Sequence, residues 1–253
     1  MLTQINYDGL VKYSFDKGNL TIVNNDPGAG YDVQISDDGT LILYKKIELI
    51  GKLRHNSLLT QRLSTNEKKT LVTPTRENIT GRIMNSSPVY VKGKNMIKNS
   101  SVPKNILQNI ITIEDQKMVL YKNGVRKELC PNGKEKSYIW PSISPDGTQI
   151  VYTVAGKGTF VTNLDGTNTK SLGKLSAPKW AGNKYIIGMD DKDDGEKLIS
   201  SKILIVSSDG KVRKELDTPT HINAMYPSAS KDGRKIAFNT DKGEVYILNI
   251  ELK

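Results

Sequence analysis

Apolar and polar positions alternate along this chain in short bursts, the period-two signature of strands with one buried face. Three stretches follow a single template: Tyr31–Tyr44 (YDVQISDDGTLILY), Trp140–Tyr152 (WPSISPDGTQIVY) and Tyr226–Phe238 (YPSASKDGRKIAF). In each, an alternating segment runs into Ser-x-Asp-Gly and a second β-rich segment follows. In the middle copy, Ile143, Ile150 and Tyr152 stand at strand spacing around Ser144-Pro145-Asp146-Gly147. A proline at the second turn position presets φ near about −65°. The aspartate can accept hydrogen bonds from nearby backbone N–H groups, and glycine takes the φ > 0 position without a Cβ clash. The template therefore predicts a β-hairpin.

The hairpins recur at a fixed interval. Asp146 and Asp232 lie 86 residues apart (232 less 146), two units of 43. A diverged copy between them, Ser176–Met189, has Gly182-Asn183 as its turn. Another, Ser101–Asp115, matches it at Ser, Pro and Lys. Second hairpins are expected at Leu10–Val23, Ser57–Val72, Met118–Leu129, Thr159–Leu172 and Lys202–Leu216, with Asn78–Asn99 as a shortened unit of its own. A unit of about 40–45 residues with four strands is the period of a propeller blade. The chain starts on a hairpin half and ends on the strand Glu244–Ile250. This offset predicts a ring closed by the N-terminal strands completing the C-terminal blade, leaving no open sheet edge.

Pro141, Ser144, Pro145, Asp146, Gly147, Ile150 and Tyr152, followed by Asn163, Leu164, Asp165 and Gly166, form a pattern that resembles the WD-like propeller repeat of the TolB family. Pro227, Ser230, Asp232, Gly233, Ile236 and Phe238 match it again, followed by Gly243–Leu252; Ile47 to Asn109 departs from it. The resemblance implies an all-β, single-domain β-propeller over residues 1–253, with six blades of four-stranded antiparallel sheet (five if Asn78–Asn99 is only an insertion). It also implies a periplasmic or cell-envelope setting, with any targeting segment absent from this chain.

Composition adds little chemistry. The 36% hydrophobic fraction suits a fold that buries apolar residues between neighbouring sheets. The chain has no run of 18 apolar residues, so no membrane-spanning segment is expected, and Leu2–Asp8 is too polar for a signal peptide. Cys130 is the only cysteine, which excludes an internal disulfide and reads as a small apolar residue at a strand end. The sequence contains no Gly-x-Ser-x-Gly elbow, zinc-spaced Cys/His cluster, Walker pattern or dinucleotide glycine pattern. The net charge of +10 favours anionic partners. The basic residues are scattered rather than interleaved with aromatics, so no nucleic acid is expected. A monomer is expected.

The candidate site lies in loops gathered at one mouth of the channel. Tyr138, Trp140, His221 and Tyr226 are the candidate partner-binding residues: aromatic side chains beside charged ones carry interface energy, and loops on a rigid scaffold carry function. Trp180, by contrast, reads as core. His55, in the basic Lys45–Arg62 stretch, is a weaker candidate, and that stretch is the alternative surface. Asp190, Asp191, Asp193, Asp194 and Glu196 read as an acidic loop that calcium could use, although their spacing is not that of an EF-hand. Otherwise no cofactor is implied. Two functional classes follow. The first is a non-enzymatic binding protein holding a protein or glycan at the mouth. The second is a propeller enzyme or sensor with a polar, metal-assisted channel site acting on an anionic sugar or peptide.

Overall fold

In the computed structural model, which describes residues 8–14, 17–103, 106 and 108–251, every regular element is a β-strand. Among these residues no helix is long and apolar enough to cross a membrane. Leu2–Tyr7, read above as too polar for a leader, and Lys104, in the Ser101–Asp115 copy, lie outside the described residues. The chain clusters into two compact units, Met1–Ile110 with Tyr121–Arg126, and Ile111–Leu120 with Lys127–Lys253.

In the first unit, β1 (Asp8–Ser14) and β2 (Asn19–Pro27) form a two-stranded hairpin. The strands β3 (Gln34–Ile35), β4 (Leu41–Ile50), β5 (Leu53–Arg62) and β6 (Lys68–Thr75) form a four-stranded sheet in chain order. A three-stranded sheet follows, β7 (Ile79–Met84), β8 (Ser87–Lys92) and β9 (Asn95–Ile97), where the shortened unit was expected. The apolar faces of these two sheets meet: Leu43, Leu58 and Val72 pack with Ile79, and Ile83 and Tyr90 border the cluster. The next sheet, β10 (Asn109–Glu114), β11 (Lys117–Lys122) and β12 (Val125–Leu129), has residues in both units. Among the described residues, no inner strand is seen from Ser101 onward. Ser101 lies in a turn, and Ser101 N–H donates to the Asn99 side chain at 2.9 Å.

The second unit holds two four-stranded sheets and one of three strands. The first is β13 (Tyr138–Ile143), β14 (Gln149–Val154), β15 (Gly158–Asn163) and β16 (Lys170–Gly173). The second is β17 (Ser176–Ala181), β18 (Tyr185–Asp193), β19 (Leu198–Ser207) and β20 (Arg213–Glu215). The last is β21 (Ala224–Ala229), β22 (Lys235–Thr240) and β23 (Val245–Asn249). Its core lies between sheets. Val151 and Val161 pack with Trp180, Ile186, Leu204 and Val206, and Ile187 and Ile205 pack with Ile236. Trp180 is therefore core, as expected, and its indole N–H donates to the Ser142 carbonyl at 3.0 Å.

One turn recurs with the same bonding. At Ser36, Ser144, Ser207 and Ser230 the hydroxyl donates to the aspartate two residues on, at 2.5–2.6 Å. The same hydroxyl accepts an N–H from five residues on, at 2.9–3.0 Å. Each turn glycine donates to the serine carbonyl at 2.8–2.9 Å, and each has φ between 68° and 77°. The Ser-x-Asp-Gly reading of these turns is thus correct in its bonding.

The expected strand exchange between Leu10–Val23 and Glu244–Ile250 is absent from the described pairings. Within those pairings, β2 pairs only with β1, and β23 only with β22. Leu10 and Val23 pack against Ala29, Ile42, Tyr44 and Leu59 of the first unit.

Candidate functional site

The innermost strand of each sheet in the second unit carries the same irregularity. Register runs Ile139↔Thr153 then Ser142↔Val151 in β13, Ser176↔Met189 then Lys179↔Ile187 in β17, and Met225↔Asn239 then Ser228↔Ala237 in β21. Each strand thus holds one extra residue, a β-bulge. The cause is in the sequence: Pro141, Pro178 and Pro227 cannot donate to the ladder, so pairing is interrupted there. The residue before each proline is left-handed, with φ of 52° at Trp140, 48° at Ala177 and 50° at Tyr226. Asp32 holds the equivalent place in the first unit, with φ of 59°. Bulky side chains rarely adopt this conformation.

The bulge re-aims the side chains. Trp140 is 41% exposed and Tyr226 50% exposed, whereas Ala177 is buried. Because β17 lies beside both β13 and β21, the three bulges follow one another from strand to strand, with the small Ala177 between two protruding rings. Tyr226 N–H meets the Met189 sulfur at 3.0 Å, which fixes the last bulge to β18. The Ser-Asp-Gly turns gather elsewhere, at one end of these sheets. There Asp146 N–H donates to the Asn183 side chain at 3.0 Å.

Of the four predicted binding residues, the structure places Trp140, His221 and Tyr226 at the surface and Tyr138 inside. Tyr138 is fully buried. Its hydroxyl donates to the Gly133 carbonyl and accepts the Asn132 N–H, both at 3.0 Å. Strand alternation explains the correction: Tyr138 and Trp140 would share a face on a regular strand, but the left-handed turn at Trp140 separates them. His221 is exposed at φ 68° in the connection leading to β21, whose Asn223 amide donates to Asp241 at 2.9 Å. His55 Nδ1 stands 3.0 Å from the Leu53 carbonyl, near the tip of the β4–β5 hairpin.

The acidic run is mostly strand, not the loop expected. Asp190, Asp191 and Asp193 lie on β18, paired with Lys202, Ser201 and Leu198. Backbone pairing there keeps the chain extended, so successive side chains point to opposite faces. Lys174 lies 4.0 Å from the Asp191 carboxylate and donates to its backbone carbonyl. In the turn, Asp193 accepts the Gly195 N–H, and Asp194 accepts from Glu196 and Lys197. Those backbone donors hold the Asp194 carboxyl below its usual range. Among the described residues, no three His, Cys, Asp or Glu side chains stand together as metal ligands would. Cys130 is half-buried, and its thiol donates to Glu128 at 3.4 Å. Burial, and then this carboxylate, push the thiol's pKa up.

The left-handed positions are the feature that strand reasoning missed. The signal was present in the sequence as a proline at the same place in three inner strands.

No protein-family model matches the chain, and no curated protein matches it. Solved structures do. TolB from Acinetobacter baumannii is 17% identical at a TM-score of 0.51, over 81% of this chain. This chain spans only 47% of that TolB chain. Oligogalacturonate lyase from Vibrio parahaemolyticus is 11% identical at a TM-score of 0.51, covering 96% of this chain and 72% of its own. A chain of a mitotic checkpoint complex reaches a TM-score of 0.66 at 12% identity, covering 96% of this chain and 82% of its own. At these identities the likeness concerns fold, and the fold is a TolB-like, WD-like β-propeller.

Proposed function

We propose that this chain is a non-enzymatic β-propeller binding protein that holds a protein or glycan partner through Trp140 and Tyr226, with His221 beside them. One observation carries the reading: equivalent bulges in β13 and β21 turn a large aromatic side chain out to solvent, at a backbone cost of about 1–2 kcal/mol each. Strained positions on otherwise regular strands concentrate at functional sites, and exposed Trp and Tyr are the residue types that dominate binding energy. In this proposal the six sheets of three or four strands are six blades of one propeller over residues 1–253, and the aromatic pair lies at its mouth. A cell-envelope setting is part of the same proposal.

The test is recovery of a partner from an envelope extract on immobilised protein. The W140A/Y226A double variant is expected to lose the partner while keeping its circular dichroism spectrum and cooperative unfolding. Unchanged recovery by a folded double variant would refute the assignment. The single-propeller part is tested by small-angle scattering, which is expected to give a radius of gyration of about 18 Å for 253 residues in one compact body.

A further inference from the structure

The first unit contains a cleft that the proposed function does not use. It is a cavity of about 380 Å³, lined by residues of the β3–β6 and β7–β9 sheets. Three cationic side chains line it, each from a different element: Arg62 from the end of β5, Lys69 from β6, and Lys98 just after β9. No aspartate or glutamate lines it. Strand alternation accounts for this imbalance. Lys68 is directed to Asp26, whose carboxylate it reaches at 2.7 Å, so its neighbour Lys69 falls on the opposite face. Among the described residues, no carboxylate pairs with Arg62, Lys69 or Lys98. Asp38 reaches the cleft wall by accepting the Ser86 hydroxyl at 3.3 Å. It also accepts Ser36 and Thr40, and is spent on its own turn.

Three unpaired cations around one cavity repel one another, and a ligand carrying several negative charges relieves this. The rest of the wall narrows the choice. Leu71, Pro88, Tyr90 and Ile97 present apolar surface, and Thr60 and Ser100 present hydroxyls. A bare oxyanion leaves such walls unused, whereas a sugar ring offers C–H faces to apolar walls and charged groups to the rim. Polar and apolar surface line the cleft in similar measure, which suits a ligand that is itself amphipathic, and placed polar groups are what orient a small molecule in its site. Arginine's planar fork suits a carboxylate or sulfate. Single-stranded nucleic acid fits less well. Tyr90 is the sole aromatic residue in the wall, and its hydroxyl is tied to the Leu71 carbonyl at 3.4 Å, so a stacking platform is lacking.

We propose that this cleft binds an acidic oligosaccharide, one whose rings carry carboxylate or sulfate groups. This site is separate from the Trp140–Tyr226 pair.

Titration calorimetry with the full chain tests the assignment. The probes are a hexagalacturonate (carboxylated), a heparin-derived hexasaccharide (sulfated), a neutral maltohexaose, and an oligothymidylate of similar charge. At least one acidic sugar is expected to bind, with the neutral sugar silent. R62Q/K69Q/K98Q is expected to weaken that binding about tenfold or more. K12Q/K52Q/K94Q removes the same net charge from exposed sites outside the cleft and is expected to change it by less than about twofold. W140A/Y226A is expected to bind normally, so the two proposals fail or stand separately. Binding of neither acidic sugar, equal weakening by the two triple variants, or tighter binding of oligothymidylate through the same three residues would each overturn the proposal.

Discussion

Glycine should be preferred over alanine at Trp140 and Tyr226, the reverse of the usual order in a strand. In an ordinary strand, glycine costs about 0.5–1 kcal/mol relative to alanine, because more chain entropy is lost on folding. At φ near 50° the balance changes. An L-residue in the left-handed region costs about 1–2 kcal/mol, and glycine escapes that cost. The difference between the two terms leaves glycine ahead by about 0–1.5 kcal/mol. Both rings are about half exposed, and both substitutions remove them, so lost packing cancels between W140A and W140G, and between Y226A and Y226G. Ala177 would be a poorer probe: its methyl is buried, and deleting it costs about 0.8 kcal/mol, which offsets the backbone gain. Val245 on β23 is the control, since it is 58% exposed and lacks a left-handed backbone. There V245G should be less stable than V245A. The assay is thermal unfolding, where 1 kcal/mol in a chain of this size moves the midpoint by about 2–4 °C. If the glycine variants melt below the alanine variants at positions 140 and 226, the bulges do not carry the strain assigned to them.

Gly147→Ala should cost about 1 kcal/mol, purely from its φ of 75°, because a Cβ there meets nothing within 4 Å. Gly158→Ala should cost clearly more, since its Cβ would come within 2.8 Å of the Gly173 carbonyl; equal denaturant midpoints would contradict this. Stability should fall in acid. The Ser36 hydroxyl and the Thr40 N–H hold the Asp38 carboxyl down at about 2, and Ser207 and Ser230 lower Asp209 and Asp232 in the same way. A carboxyl lowered in the folded state contributes fully above its unfolded value of 3.8 and loses that contribution as pH falls toward 2. Urea midpoints should therefore drop across that window, and D38N/D209N/D232N should flatten the drop. Cys130 should alkylate more slowly than a free thiol at pH 8, because burial and Glu128 disfavour its thiolate; a rate at or above that of glutathione would refute it.

The repeated turns were legible because their chemistry is local. Serine, aspartate and glycine supply a donor, an acceptor and a φ > 0 residue within four positions. Most hairpins and the shortened sheet at Ile79–Ile97 followed from the same logic. The fate of Tyr138 was not legible. Its burial depends on a left-handed residue two positions on, which shifts the alternation that places side chains by face. The acidic run was misread for a related reason. Composition suggested a loop, but β19 is long enough to pair Asp190–Asp193 into β18, and pairing overrides polarity. The basic cleft was hidden because Arg62, Lys69 and Lys98 belong to different elements of two sheets.

The four serine-aspartate turns bear on how the chain folds as well as on its final form. The serine-hydroxyl bonds that shape them span five residues or fewer, so each turn can form before any sheet meets another. A turn that closes early fixes the register of its hairpin, and a one-residue slip would send every apolar side chain to the wrong face. The sheet-to-sheet clusters, built from residues far apart in sequence, must form later and at a greater loop-closure cost. Damage to a turn should therefore slow folding, whereas damage to a cluster between sheets should speed unfolding. The repetition along the sequence thus provides several independent starting points, each complete in itself, for one slow assembly of sheets.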